Sequence, residues 1–291
     1  MSVNSPRPAW LCKEVKLSSA VLKTKKKVAS LGLTTVCESA RCPNLSECFS
    51  SGNATFMILG SSCTRNCSFC AVEHGPPVNP DSNEGLKIAA FMSEQNIHFA
   101  VITSVTRDDL PDRGAAHFIR VVEDIKNKLP NAGIELLVPD FKGCFKSVAQ
   151  VASLPIEVFA HNLETVERLY SKVRYGADYR YSLKVLAEAA ETRRKGTLLK
   201  SGIMVGLGEN LQELDQLFTD LVHAGVEILT IGQYLRPSRN NLPVKRYYSP
   251  GEFEQLQNIA LNHGLKQVIA APYVRSSYLA ERNYQLCLAK D

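Results

Sequence analysis

The sequence predicts an α/β fold in which parallel strands alternate with helices as successive βα units. Short β-branched runs alternate with longer amphipathic ones, and stretches of turn-forming residues separate them. The 291 residues, 45% hydrophobic and 22% charged, are enough for one large domain with a sizeable core. Six strands are predicted, at 55–59 (TFMIL), 100–105 (AVITSV), 134–138 (IELLV), 156–160 (IEVFA), 202–207 (GIMVGL) and 227–231 (EILTI). Helices are predicted between them at 84–95, 113–128, 164–173, 183–194 and 211–223. Right-handed crossovers between parallel strands give either an open doubly wound sheet or a full or partial barrel, and periodicity does not choose between them. In both, ligands sit beyond the carboxyl ends of the strands, so the loop carrying Cys63, just after the first strand, should face the active site. Three segments follow: an N-terminal extension at 1–54, a βα core at 55–235 and a C-terminal extension at 236–291.

No apolar run approaches bilayer length, and the first residues form no continuous apolar signal segment, so the expectation is a soluble, cytoplasmic protein with no membrane partner. The net charge of +5 is modest for this length, and the lysine-rich run at 23–27 (KTKKK) reads first as a solvated helix face. No nucleic-acid partner is expected. Cysteine is the specific signal, because six of the nine lie between Cys37 and Cys70. A chain this long does not need disulfide stapling, which leaves thiolate ligation of metal.

The second triplet, CTRNCSFC, sets Cys63, Cys67 and Cys70 in C-x3-C-x2-C spacing within one loop. Three such thiolates can hold three irons of a cubane and leave the fourth open to a cofactor. Zinc is the alternative, with His74 the nearest fourth ligand. The first triplet, CESARCPNLSEC, sets Cys37, Cys42 and Cys48 in C-x4-C-x5-C spacing, and alone it also fits a zinc knot completed from a distance. Cys12, Cys144 and Cys287 have no ligand spacing and read as packing residues.

The C-x3-C-x2-C loop, with Phe69 before its last cysteine, resembles that of radical S-adenosylmethionine enzymes. Over nearly the whole chain, from RPAWL to RSSYLA, the sequence resembles the lipoyl synthase family. The resemblance also runs through TFMILG, VITSVTRDDLPDRGA, LVPDFKG, HNLETVERLY, GADYRYSL, KSGIMVGLGE and LTIGQYLRPS. It implies a partial (β/α)6 TIM-type barrel with N-terminal and C-terminal extensions, two [4Fe-4S] clusters and S-adenosylmethionine. Cys63, Cys67 and Cys70 would hold the radical cluster; Cys37, Cys42, Cys48 and Ser277 would hold the auxiliary one. Beyond the resemblance, Arg275 is expected to pair electrostatically with the serine. The implied reaction abstracts hydrogen from C6 and C8 of a protein-bound octanoyl chain and inserts sulfur taken from the auxiliary cluster. Unactivated C–H bonds give acid–base chemistry no handle, so a cofactor radical is needed. The implied partners are an octanoylated lipoyl carrier protein or domain, an electron donor such as ferredoxin or flavodoxin, and an iron–sulfur carrier that regenerates the spent cluster.

Family placement also puts Asn162, Glu164, Lys200, Gly206, Gly208, Thr103 and Ser104 at the border of the S-adenosylmethionine site. On its own the Gly206–Gly208 pair is as well explained by a tight turn, and His161 by a strand-end core position. In LPVKRYYSP the family's Pro243, Val244 and Tyr247 are kept, but Asn240 and Asn241 stand where histidine is usual, a departure in the region of carrier recognition. The lysine-rich run is the expected meeting point for an acidic carrier. Two rivals remain: a radical enzyme whose second cluster only relays electrons, and a non-enzymatic zinc or iron–sulfur module.

Overall fold

A computed structural model describes residues 7–13 and 18–290. Residues 1–6 and 14–17 of the expected N-terminal extension, and the last residue of the C-terminal one, lie outside the described residues. Seven strands form one sheet in the order β1 to β7: Thr55–Ile58, Phe99–Ser104, Gly133–Leu137, Val158–Ala160, Leu198–Val205, Ile228–Gln233 and Gln267–Ala271. Every neighbouring pair is parallel, with registers such as Met57↔Thr103↔Leu137↔Ala160 and Gly202↔Thr230↔Ile269. A doubly wound sheet reverses its strand order at a switch point. This order never reverses, and β1 does not pair with β7, so the sheet is an open, partial barrel.

Before β1 come α1 (Ser19–Ser30), α2 (Val36–Ser39) and α3 (Leu45–Ser50). The crossovers are α4 (Glu84–Gln95), α5 (Ala115–Lys128), α6 (Phe145–Ala152), α7 with α8 (Tyr170–Val173, Tyr179–Thr192), α9 (Leu211–His223) and α10 (Pro250–Asn262); α11 (Ala280–Leu288) ends the chain. Their apolar stripes cover the outside of the sheet. Phe118, Val121, Val122 and Ile125 of α5 are buried, each such side chain contributing about 2 kcal/mol. Reciprocal capping boxes, Asn210 with Glu213 and Ser249 with Glu252, fix the starts of α9 and α10.

The seventh strand was not among those expected. QVIAA is short, opens on glutamine and lies in the segment read as an extension, yet it continues the ladder from β6. Strand β5 begins four residues before its expected start, because Lys200 and Ser201 are buried in it where a polar pair suggests a loop. The helix expected at 164–173 starts three residues late and is divided into two short turns. Glu164 takes a left-handed conformation (φ 67°) and bonds to β5, donating from N to the Gly202 carbonyl at 3.0 Å and accepting from Met204 N at 2.9 Å. Only a 3-10 turn, Glu167–Leu169, and the single turn of α7 follow.

Side chains alternate along each strand, so the interior face can be followed downward from the cavity described below. Leu137 and Gly202 line that cavity; Glu135 and Lys200, two residues earlier, sit beneath it as an ion pair at 2.7 and 2.8 Å. At the bottom, Leu198 and Ile228 meet Cys287 of α11, and Tyr284 of the same helix faces Phe99 with ring centroids 5.8 Å apart. The C-terminal helix therefore plugs the amino-terminal mouth of the barrel. Cys287 is a packing residue as expected, whereas Cys12 is exposed and Cys144 half-buried.

Candidate active site

A cavity of about 780 Å³ opens at the carboxyl ends of the strands, within the range of small-molecule sites. Its wall includes Cys63, Cys67 and Cys70, together with Cys37, Cys42, Arg275 and Ser277. Cys48 lies on α3 behind this wall, close enough to Cys37 and Cys42 for their charges to raise its pKa. Among the described residues, no three His, Cys, Asp or Glu side chains gather tightly enough to hold a single metal ion. His74, the fourth ligand that a zinc site needed, is exposed and outside the wall.

The loop after β1 suits an iron–sulfur cluster. Cys63 Sγ accepts from the backbone N–H groups of Arg65 (3.4 Å) and Thr106 (3.3 Å), and Cys70 Sγ accepts from Val72 N at 3.4 Å. Such N–H···S bonds are one of the protein's means of setting cluster potential. Burial pushes Cys67 up to about 11 and Cys70 up to about 12, and in the first triplet Cys37 up to about 11 and Cys48 up to about 12. Thiols so placed release their protons to a metal rather than to water.

What holds this loop is Arg65, between the first two cysteines. It makes two bidentate pairs, with Asp108 at 2.7 and 3.0 Å and with Asp140 at 2.6 and 2.7 Å. Those carboxylates follow β2 and β3, so the loop is tied to two strand ends. Burial works to raise Asp140, but Arg65 overrides it and holds the carboxyl down at about 2. From the other side, Asn241 donates its side-chain amide to the carbonyls of Cys70 (2.8 Å) and Ser68 (3.3 Å). This is one of the two asparagines that replace the expected histidines.

A polar chain joins the C-terminal motif to β4. Ser276 Oγ donates to Asn162 Oδ1 at 2.9 Å, and Asn162 Nδ2 donates to Glu164 Oε1 at 3.0 Å. Burial raises the pKa of Glu164 against the pull of Arg174, which is half-buried and donates to the Asn162 carbonyl at 2.8 Å. Arg275 donates to the Val274 carbonyl at 2.7 Å and lies near Cys42 and Glu164. Gly232 makes this turn possible, since a Cβ there would sit 2.1 Å from the Val274 carbonyl oxygen. On the N-terminal side, Asn44 donates to the Tyr273 carbonyl at 2.7 Å and Tyr278 Oη to Glu47 at 2.7 Å. The first triplet and the RSSY motif are thus fastened to each other.

Of the residues expected around S-adenosylmethionine, Asn162, Glu164, Thr103 and Ser104 line the cavity. Ser104 Oγ is buried with no hydrogen-bond partner, a vacant polar atom in a wall suited to a polar ligand. Thr103 spends its hydroxyl on the Leu137 carbonyl at 2.9 Å. Lys200, Gly206 and Gly208 are not brought into the wall. Lys200 is occupied by Glu135. The N–H groups of Gly206, Leu207 and Gly208 all donate to the Glu209 carboxylate, at 2.6, 2.9 and 3.0 Å, and Gly206 faces Gln233 and the Arg246 backbone. His161 is wholly buried, donates from Nδ1 to the Val138 carbonyl at 2.9 Å, and is held neutral by burial, its pKa down at about 3. Arg65, Asp108, Asp140, Arg174 and Asn241 were not singled out as site residues; an arginine inside a cysteine triplet and aspartates just past two strand ends were the available signals.

Residues 57–221 match the Radical SAM superfamily. The chain is 49% identical over 280 residues to the lipoyl synthase of Acidithiobacillus ferrooxidans, covering 96% of this chain and 88% of the relative. It is 48% identical over 277 residues to that of Haemophilus influenzae, covering 94% and 86%. Among solved structures, the FeFe-hydrogenase maturase HydG from Carboxydothermus hydrogenoformans aligns with a TM-score of 0.58 at 13% identity, covering 92% of this chain and 68% of that one. Methylornithine synthase (PylB) aligns with a TM-score of 0.53 at 14% identity, covering 87% and 79%. At such identities these two bear on the fold alone, and they have it in common with this partial barrel. With cysteines of both triplets opening on one cavity and near-half identity along almost its whole length, the chain belongs to the lipoyl synthase family of the Radical SAM superfamily.

Proposed function

We propose that the chain inserts two sulfur atoms, at C6 and C8, into the octanoyl-lysyl chain of a lipoyl carrier protein or domain. The observation that carries this reading is the single cavity faced by Cys63, Cys67 and Cys70 from one side and by Cys37, Cys42 and Ser277 from another. When bound, two [4Fe-4S] clusters and S-adenosylmethionine supply the hydrogen-abstracting radical and the sulfur. Cys63, Cys67 and Cys70 are the thiolates for the first cluster; Cys37, Cys42 and Cys48 with the Ser277 hydroxyl are the ligands for the second, and Arg275 supplies positive charge beside them. Asn162, Glu164, Thr103 and Ser104 offer the polar contacts for S-adenosylmethionine, and Lys200, Gly206 and Gly208 are left out of that set. Met57, Leu137, Ile203 and Met204 give the same cavity an apolar wall that can orient an alkyl chain and exclude water.

In this reading residues 1–54 bring the auxiliary ligands, 55–235 the radical core and 236–291 the serine ligand. Ferredoxin or flavodoxin donates electrons, an iron–sulfur carrier restores the auxiliary cluster, and the protein works in the cytoplasm. No described helix is long and apolar enough to cross a membrane. The test is mass spectrometry of an octanoyl-lysyl peptide after anaerobic incubation with reconstituted protein, S-adenosylmethionine and a strong reductant. A gain of two sulfur atoms with matching loss of auxiliary iron is expected. Formation of 5'-deoxyadenosine without sulfur gain, the auxiliary cluster surviving, would overturn the sulfur-donor assignment.

A further inference from the structure

Exposed arginines on this surface differ in their partners; Arg120, Arg194 and Arg282, away from the cavity, pair with no carboxylate among the described residues. Arg168, Arg180 and Arg246 each pair with a carboxylate, of Glu213, Glu167 and Glu252 respectively. Arg7, Arg41 and Arg236 line the mouth of the cavity, and none of them, nor the neighbouring Arg239, pairs with a carboxylate among the described residues. Arg41 donates only to the Pro237 carbonyl, at 3.4 Å, and Arg236 only to the backbone of Asn241, at 2.8 Å, and of Arg239. Backbone carbonyls hold these guanidinium groups in place without neutralising them. Among the described residues, the only carboxylate in the cavity wall is Glu164, beside Arg174. Lys13 in the same wall is paired with Glu47 at 2.7 Å, whereas the three rim arginines have no carboxylate partner among the described residues.

The lysine-rich run on α1 looks different. Lys25 pairs with Glu38 at 3.3 Å, Lys27 pairs with Glu94, and none of its lysines reaches the cavity mouth. Any macromolecule that feeds a tethered chain into the cavity must rest its own surface on the rim.

We infer that Arg7, Arg41 and Arg236 form the docking surface for an acidic carrier domain, whose acylated lysine then enters between them. This deepens the proposed function and rests on it. Unpaired cations around an opening attract an acidic partner over roughly a Debye length, about 8–10 Å at moderate salt, and speed productive encounter more than they tighten the final complex.

The test compares two substrates on the reconstituted holoenzyme: an acidic lipoyl carrier domain octanoylated on its lysine, and a short neutral octanoyl-lysyl peptide. For the double variant Arg41→Glu/Arg236→Glu, the ratio of kcat/KM on the domain to kcat/KM on the peptide should fall by about 10-fold or more. Raising salt should lower that ratio in the unaltered enzyme, and a Lys25→Glu/Lys26→Glu variant should leave it unchanged. An unchanged ratio in the arginine variant, or a fall carried by the lysine variant instead, would overturn the inference. Binding of the unacylated domain is measured in parallel by fluorescence anisotropy. If the unaltered enzyme modifies neither substrate, the proposed reaction fails, while a salt-sensitive affinity lost in Arg41→Glu/Arg236→Glu would still support docking and an affinity indifferent to that change would refute it.

Discussion

Replacing Lys200 with methionine separates a ligand-binding role from an architectural one. Its ammonium and the Glu135 carboxylate are 0% and 1% exposed and meet at 2.7 Å, in the barrel interior below the cavity. Burying two charges costs nearly as much as their attraction returns, so the pair adds little net stability, but removing one partner strands the other. Lys200→Met should therefore lose about 3–5 kcal/mol, a large share of the roughly 5–15 kcal/mol that holds a domain together. The paired change Glu135→Leu/Lys200→Met should recover most of that loss. Burial already raises the pKa of Glu135, and Lys200 opposes it. Without Lys200 the folded protein holds this proton to higher pH than the unfolded chain does, so the variant should lose stability as pH rises above the ordinary carboxylate range. The assay is urea denaturation of cluster-free protein followed by circular dichroism, beside S-adenosylmethionine affinity of the reconstituted double variant. Unaltered stability in Lys200→Met, with affinity weakened tenfold in the double variant, would refute this reasoning and return Lys200 to the ligand.

The remaining predictions concern the cluster loops and the turn that faces them. Asp140, held at about 2 against an ordinary 3.8, contributes about 2 kcal/mol above pH 4 that is lost as pH falls toward 2; Asp140→Asn should remove this acid dependence from the unfolding curve. Asn241→Ala should shift the midpoint potential of the radical cluster in an electrochemical titration and hasten its iron loss, with Asn241→His closer to the unaltered protein. No change in either readout would place Asn241 outside loop positioning. Gly232→Ala should lower auxiliary iron and cost about 1–3 kcal/mol, because its methyl group would meet the backbone at Val274; full iron content would count against that turn carrying a ligand. Cys63→Ala and Cys37→Ala should each lower reconstituted iron from about 8 to about 4 per chain, and a zinc content in either would contradict the cluster reading.

Six of the seven strands and both cysteine triplets were legible because their signals are local. TFMIL announces a buried strand by itself, and three cysteines within eight residues announce a ligand loop. The misses share one physical cause, which is that distant partners override local chemistry. Lys200 reads as a loop residue until Glu135, 65 residues away, neutralises it inside β5. Glu164 reads as helix until its backbone joins β5 in a left-handed conformation. Gly206 and Gly208 read as a ligand-bordering turn or a plain tight one, and Glu209 takes their N–H groups from within the same turn. Arg65 is marked only by its place inside a cysteine triplet, and its role exists only once Asp108 and Asp140 arrive from two other strand ends.

The clamp between the chain's two ends bears on the order in which the sites can come into being. Cys63, Cys67 and Cys70 lie within one loop, so a nascent chain holds that set soon after β1 is made. The other set, under the proposed assignment, spans from Cys37 to Ser277, and its two halves are fastened by contacts 229 and 231 residues apart. Closing so long a loop is entropically costly and waits on the whole sheet between. Loss of the last fifteen residues, as by a late frameshift, would spare all six cysteines and the barrel strands yet leave the auxiliary site without its serine. Such a chain should bind S-adenosylmethionine and cleave it while delivering no sulfur.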